Sequence, residues 1–166
     1  MKGTGELLLY LDFDGVLHHE NVLWHSRVGA YLSAPDCYVL FQHAELLEKT
    51  LEPYPQVQIV LSTSWVSRYG RTKAAKNLRP ALRSRVIGAT FRPRMNPDEF
   101  AMLPRCMQVW QDVQRRKPRA WLALDDNVEG WPVEHAAHVV RTHKHAGLGN
   151  PAVLVEFQLK LQEIFR

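Results

Sequence analysis

Two aspartates one residue apart, Asp12 and Asp14, follow directly on five apolar residues, Leu7 to Leu11. A second acidic pair, Asp125-Asp126, ends another apolar run, "AWLAL", and a hydroxyl cluster, Ser62-Thr63-Ser64, ends a third, "VQIVL". Four carboxylates gathered in one place repel and raise one another's pKa unless a cation sits among them. Oxygen-only ligands suit a hard divalent ion, and Mg²⁺ leads because it binds through a few carboxylates plus a substrate phosphate. With that ion in place, one aspartate could attack phosphorus while a second manages protons. The hydroxyls could donate to phosphoryl oxygens, and a cationic side chain would be needed to offset the charge on nucleophile and phosphate.

This chemistry requires elements that bring residues 12, 62–64 and 125 together. Leu7 to Leu11, Val57 to Leu61 and Ala120 to Leu124 are short continuous apolar runs, the pattern of strands buried on both faces. Arg85 to Thr90 reads as a further strand and Val139-Val140 as a short fifth. Helical spacing is predicted over Val39–Leu51, 72–84, Cys106–Arg115 and Ala152–Phe165. Residues 18–37 read as irregular and 91–104 as a loop broken by Pro93, Pro97 and Pro104. Strands alternating with helices predict an α/β fold, a doubly wound parallel sheet in three layers. Ligands of such sheets lie outside the carboxyl ends of the strands, where the three polar clusters would converge.

The chain has 166 residues, 46% hydrophobic and 23% charged, and no linker or repeat divides it, so a single domain over 1–166 is expected. Its net charge of +4 is compatible with a phosphorylated or nucleic-acid partner but is common without one. Two unpaired cysteines, Cys37 and Cys106, argue against a disulfide framework or structural zinc. The first apolar run stops at Asp12, too short for a leader or a membrane span, and a soluble cytoplasmic protein with no membrane partner is expected.

"LDFDGVL", "IVLSTS" and "WLALDD" resemble, in order and in strand context, the first, second and fourth motifs of the haloacid dehalogenase-like (HAD) hydrolase superfamily. The shorter stretches "STSW", "LDD" and "HAGLG" resemble the small capless domains of RNA-repair (Swiss Army Knife) proteins. The resemblance implies a HAD-like Rossmannoid fold without a large cap domain and an Mg²⁺-dependent phosphatase. It makes Asp12 the nucleophile that forms an aspartyl-phosphate and Asp14 the general acid/base, which requires the backbone to turn at Gly15. Asp12, the backbone carbonyl of Asp14, Asp125 and Asp126 would hold Mg²⁺. Thr63 is favoured as the phosphate ligand with Ser64 beside it, and Ser62 is the alternative in register. Arg105, at the start of the helix that leads to the fourth-motif strand, is preferred as the third-motif cation. Lys117, at the other end of that helix, would stand about 18 Å away, from twelve residues at about 1.5 Å each.

The space between motifs leaves an open site, which suits a polymer end. The implied substrate is a phosphorylated one, a nucleic-acid terminal phosphate or a nucleotide, with a phosphoprotein as the alternative. A non-catalytic phospho-receiver on a similar sheet is the rival reading, and Asp14 separates the two, because a receiver needs no proton-managing acid there. Of the eight histidines, His135, His138, His143 and His145 lack a completed zinc-like ligand set, and surface or packing roles are expected. His18 and His19 are placed either against substrate or in a flap. Trp65 is a candidate stacking surface for a base, and Arg68, Arg92 and Arg94 for a polymer backbone, with solvated surface the plainer role for the arginines.

Overall fold

A computed structural model describes residues 6–166. The reading of the N-terminus as leaderless rests partly on residues 1–5 and to that extent lies outside the described residues. Five parallel strands form the central sheet: β1 (Leu7–Leu11), β4 (Val57–Leu61), β5 (Val86–Ala89), β6 (Ala120–Asp125) and β7 (Val139–Arg141), in the order β5-β4-β1-β6-β7. The chain moves outward from β1 through β4 to β5, then returns to the other side of β1 as β6 and β7. That reversal leaves β1 in the centre and opens a crevice at its carboxyl end.

Pleating divides the strands between two cores. Leu7, Leu9, Leu11, Val57, Ile59, Leu61, Leu122 and Leu124 face one side. There they pack on α1 (Ala44–Leu51), α3 (Arg71–Ala75), α4 (Pro80–Arg83) and α7 (Pro151–Ile164). Leu8, Tyr10, Val60, Trp121 and Ala123 face the other side and meet Val109 and Val113 of α6 (Arg105–Arg116). On this side a buried network ties the helix to the central strand. The Tyr10 hydroxyl donates to Asp112 at 2.9 Å, and Arg116 Nε donates to the same carboxylate at 2.7 Å. Three layers result, with the sheet in the middle. The segments inserted around the crevice are small: the hairpin of β2 (Val22–His25) and β3 (Gly29–Leu32), and the short helices after β4.

Several local expectations change. Residues 18–37 contain that hairpin; its strands have only four residues each, too few to reveal an alternating pattern, and Gly29 supplies a positive φ of 76° at its turn. The helix expected from Val39 begins at Ala44, because Phe41 adopts φ 57°, outside the helical region. Residues 72–84 form two short helices, with Pro80 starting the second. The loop expected over 91–104 contains α5 (Pro97–Met102), where Pro97 opens a helix and breaks none. Asn96 caps it by accepting from the N–H groups of Asp98 and Glu99. Residues 64–69 also form a helix, α2 (Ser64–Tyr69). No helix among the described residues is long and apolar enough to cross a membrane.

Candidate active site

Register builds the site. Leu11 pairs with Leu61 on one side and Leu124 on the other, so the residues that follow, Asp12, Ser62 and Asp125, leave three adjacent strands at one level. The ladder continues one step past the apolar runs: Ser62 N–H donates to Leu11 O at 2.8 Å, and Asp12 N–H to Leu124 O at 3.2 Å. Carboxylate oxygens of Asp12, Asp125 and Asp126 lie within 4.8 Å of one another. Asp12 and Asp125 are buried, and Asp126 is half-buried.

These carboxyls are costly to ionise together. Burial raises the Asp12 pKa well above the carboxylate range, and Asp125, Asp14 and Asp126 add to the rise while Arg105 opposes it. Burial pushes Asp125 up to about 7, with Asp126 contributing and Arg105 again opposing. Asp126 is raised by burial and by Glu20. Arg105 Nε stands 3.3 Å from Asp125 Oδ2, and its terminal nitrogen stands 3.7 Å from Asp12 Oδ2. Burial pulls the guanidinium pKa down, but the four surrounding carboxylates outweigh this and keep it raised. The other end of the guanidinium donates to the Ser62 backbone carbonyl. One cation thus faces three clustered carboxylates. A hard divalent ion fits that donor set, because among the described residues the converging ligands are all carboxylate oxygens, and their charge exceeds what Arg105 neutralises.

Asp14 stands apart from this cluster. Gly15, at φ 74°, turns the chain after it, and a Cβ at that position would collide with the Asp126 carboxylate. Asp14 Oδ1 accepts two hydrogen bonds, from Trp65 Nε1–H at 2.8 Å and from His18 Nε2 at 2.9 Å. His18 is fully buried, and its Nδ1 accepts the Phe41 N–H at 3.1 Å. An Nδ1 that accepts leaves the ring proton on Nε2, so the imidazole donates to Asp14 in its neutral form. The left-handed backbone of Phe41 aims that N–H, and its ring meets Phe13, His18 and Trp65 edge-on. Phe13, between the two aspartates, is itself fully buried in this aromatic layer. Asp14 nevertheless lines the cavity, and with Oδ1 taken, Oδ2 is the oxygen left for a reacting group.

The three hydroxyls diverge. Ser62 is buried beside Arg105, 3.4 Å from its Nη1. Thr63 accepts the Trp65 N–H at 3.3 Å and so caps α2. Ser64 lines the cavity of about 590 Å³ together with Asp12, Asp14, Arg105 and Asp126. Lys117 ends the helix that Arg105 begins, in a left-handed cap.

Two sequence expectations shift. Trp65 is buried and gives its N–H to Asp14, so it offers no stacking surface. His18 holds Asp14 and does not reach the cavity wall. Neither role was visible in the sequence, although "HH" after the first motif and "STSW" after the second placed both residues near the site. "HAGLG" also finds a physical reason. Leu148 N–H donates to Val16 O at 2.8 Å, and a Cβ on Gly147 would strike that carbonyl. Thr142 Oγ1 adds a bond to Gly15 O at 2.6 Å, so this loop clamps the turn that carries Asp14. His138 stacks on Trp121 and His135 packs at a tilt against Trp110.

No curated protein and no solved structure matches the chain. The family described as the HAD domain in Swiss Army Knife RNA repair proteins matches residues 8–153, a span that holds every residue of the cluster, the Asp14 cradle and the 142–149 clamp. With its acidic cluster at the carboxyl end of a doubly wound sheet, the chain belongs to that family of HAD domains.

Proposed function

We propose that this protein is an Mg²⁺-dependent phosphohydrolase that works through an aspartyl-phosphate, on nucleic-acid terminal phosphates or nucleotides. The observation that carries the reading is the contrast between neighbours: Asp12 sits in the charged cluster, while Asp14, two residues on, is fixed by two neutral donors with one oxygen free. A proton-managing group needs that arrangement, and a phospho-receiver does not.

In the first half-reaction Asp12 Oδ attacks phosphorus. The bond from phosphorus to the leaving oxygen breaks, and Asp14 Oδ2 gives its proton to that oxygen. In the second half-reaction a water attacks phosphorus and Asp14 takes its proton. The aspartyl bond breaks, which frees phosphate and restores Asp12. Arg105 offsets the negative charge that gathers on Asp12 and on the transferring group. Ser64, on the cavity wall, donates to a phosphoryl oxygen, with Thr63 and Ser62 behind it. Asp12, Asp125 and Asp126, with the Asp14 backbone carbonyl, would hold Mg²⁺, which would supply charge neutralisation and orientation of the phosphate.

The test is hydrolysis of p-nitrophenyl phosphate with Mg²⁺, beside the Asp12→Asn variant. Turnover by the unsubstituted protein and none by the variant is expected. No turnover above the variant would overturn the reading. Asp14→Asn that forms a stable phosphoprotein without release is the expected companion result, whereas normal turnover by it would refute the role of Asp14.

A further inference from the structure

The catalytic cavity does not end at its own wall. A second cavity of about 410 Å³ adjoins it and shares two lining residues, Arg141 and Lys144. Arg141 is the rung partner of Asp125 across the β6–β7 ladder, so its backbone lies one strand spacing, about 4.8 Å, from the acidic cluster. Lys144 is held by the clamp loop, where its carbonyl accepts the Glu20 N–H at 2.8 Å. Both side chains are exposed, and neither forms an ion pair among the described residues. Other cations near buried acids, such as Arg105, Arg115 and Arg116, are committed to carboxylates. The first cavity also carries Glu20 and Glu129, but no carboxylate lines the second. His145 lines it too, half exposed and stacked on His19 with ring centroids 4.5 Å apart and planes 4° from parallel. Glu20, 4.0 Å from His145 Nε2, is the acid nearest that ring.

We infer that the second cavity holds the nucleotide next to the phosphorylated end of the substrate, with its phosphodiester on Arg141 and Lys144 and its base against His145. The inference rests on the phosphohydrolase reading and narrows its substrate from phosphate esters in general to the phosphorylated end of a nucleic-acid strand. The chemistry is complementary at each point. The terminal phosphate goes to the acidic cluster and Arg105. The next backbone charge falls where two cations have no protein partner, and a flat imidazole held by a second ring offers a stacking face. A lone mononucleotide would leave these groups unused.

The test compares kcat/KM for a mononucleotide, the corresponding nucleoside 3′,5′-bisphosphate, and a terminally phosphorylated dinucleotide, with the phosphate at either end. The dinucleotide should exceed the mononucleotide about tenfold, the weight of one or two charge-assisted contacts, and that advantage should shrink with added salt. The bisphosphate should share most of the gain. The double substitution Arg141→Ala/Lys144→Ala should bring the dinucleotide-to-mononucleotide ratio close to one. Lys49→Ala, which removes a cation paired with Glu45 on α1, controls for net charge. Equal rates for the three substrates, or an equal fall of the ratio in Lys49→Ala, would overturn the inference. If p-nitrophenyl phosphate is not hydrolysed, the phosphatase reading itself has failed. The preference is then read as Kd on the Asp12→Asn protein with Mg²⁺, where about tenfold tighter dinucleotide binding supports the site and equal binding overturns it.

Discussion

Two carboxylates two residues apart are held in opposite ways. Asp12 shares its surroundings with Asp125, Asp126 and one guanidinium, all ionisable, and its ionisation is opposed by burial and by the neighbouring carboxylates and favoured by Arg105. Asp14 is bonded by the indole N–H of Trp65 and a neutral imidazole, neither of which carries charge. A charged setting is sensitive to pH, salt and metal; a neutral, hydrogen-bonded one fixes geometry and little else. The difference matches the roles proposed for the two positions. A nucleophile gains from a field that changes when a cation and a phosphate arrive, whereas a proton carrier gains from an oxygen that stays where it is.

The comparison breaks most sharply at Asp12. Asp12→Asn should lower phosphatase activity by about 10³-fold or more, measured with p-nitrophenyl phosphate, since no other group in the cluster replaces the nucleophile. Arg105→Ala comes next. Activity should fall about 10²-fold, the scale of losing one stabilising charge in the transition state. Without divalent metal the protein should also lose about 3 kcal/mol of stability in urea unfolding, because the buried carboxylates lose the guanidinium that faces them. Arg105→Lys should recover part of the stability.

His18→Asn and Trp65→Phe sharpen the other side. Each removes one donor to Asp14 and should lower kcat/KM about tenfold for an alkyl phosphate, the effect of a hydrogen bond to a charged group. With p-nitrophenyl phosphate, whose leaving group needs little protonation, the fall should be smaller. Equal losses on both substrates would mean that these residues only support the fold.

The smallest effect is on pH and tests the charged side of the comparison without mutation. Asp125 has a folded pKa raised to about 7 against 3.8 for the free group, and Asp12 is raised in the same sense. Between those values the folded state binds more protons than the unfolded one, so metal-free stability falls as pH rises from about 4 to 7. Thermal melts in chelator should show a Tm that declines across this window by a few degrees. Added Mg²⁺ should flatten the decline by raising Tm at the upper end, as ligand binding to the folded state requires. A Tm indifferent to Mg²⁺ at pH 8 would count against a metal at the cluster.

The parallel sheet and the meeting of residues 12, 62 and 125 were legible because buried strands leave unbroken apolar runs whose polar ends are conspicuous. Arg105 could be placed at the cluster because helix rise sets where the two ends of α6 stand relative to the sheet. The Asp14 cradle could not be read. It depends on a buried histidine whose tautomer is set by Phe41, and on a left-handed backbone that no helical periodicity reveals. The hairpin and the short helices escaped for a simpler reason: with four to six residues each, they hold too little pattern. Pro97 misled because a proline can open a helix as readily as end one.

The level at which Asp12, Ser62 and Asp125 leave the sheet has a consequence for folding. These residues are brought together only by the pairing of β1 with β4 and with β6, contacts between distant parts of the chain. No fragment carrying one motif, or a hairpin of neighbouring segments, can assemble even a partial version of the centre. Closing those long loops is the slow part of building a parallel sheet. The proposed phosphatase activity should therefore appear late and all at once in refolding, together with protection of the β1 amides from hydrogen exchange, so that phosphate release would serve as a reporter of the completed sheet.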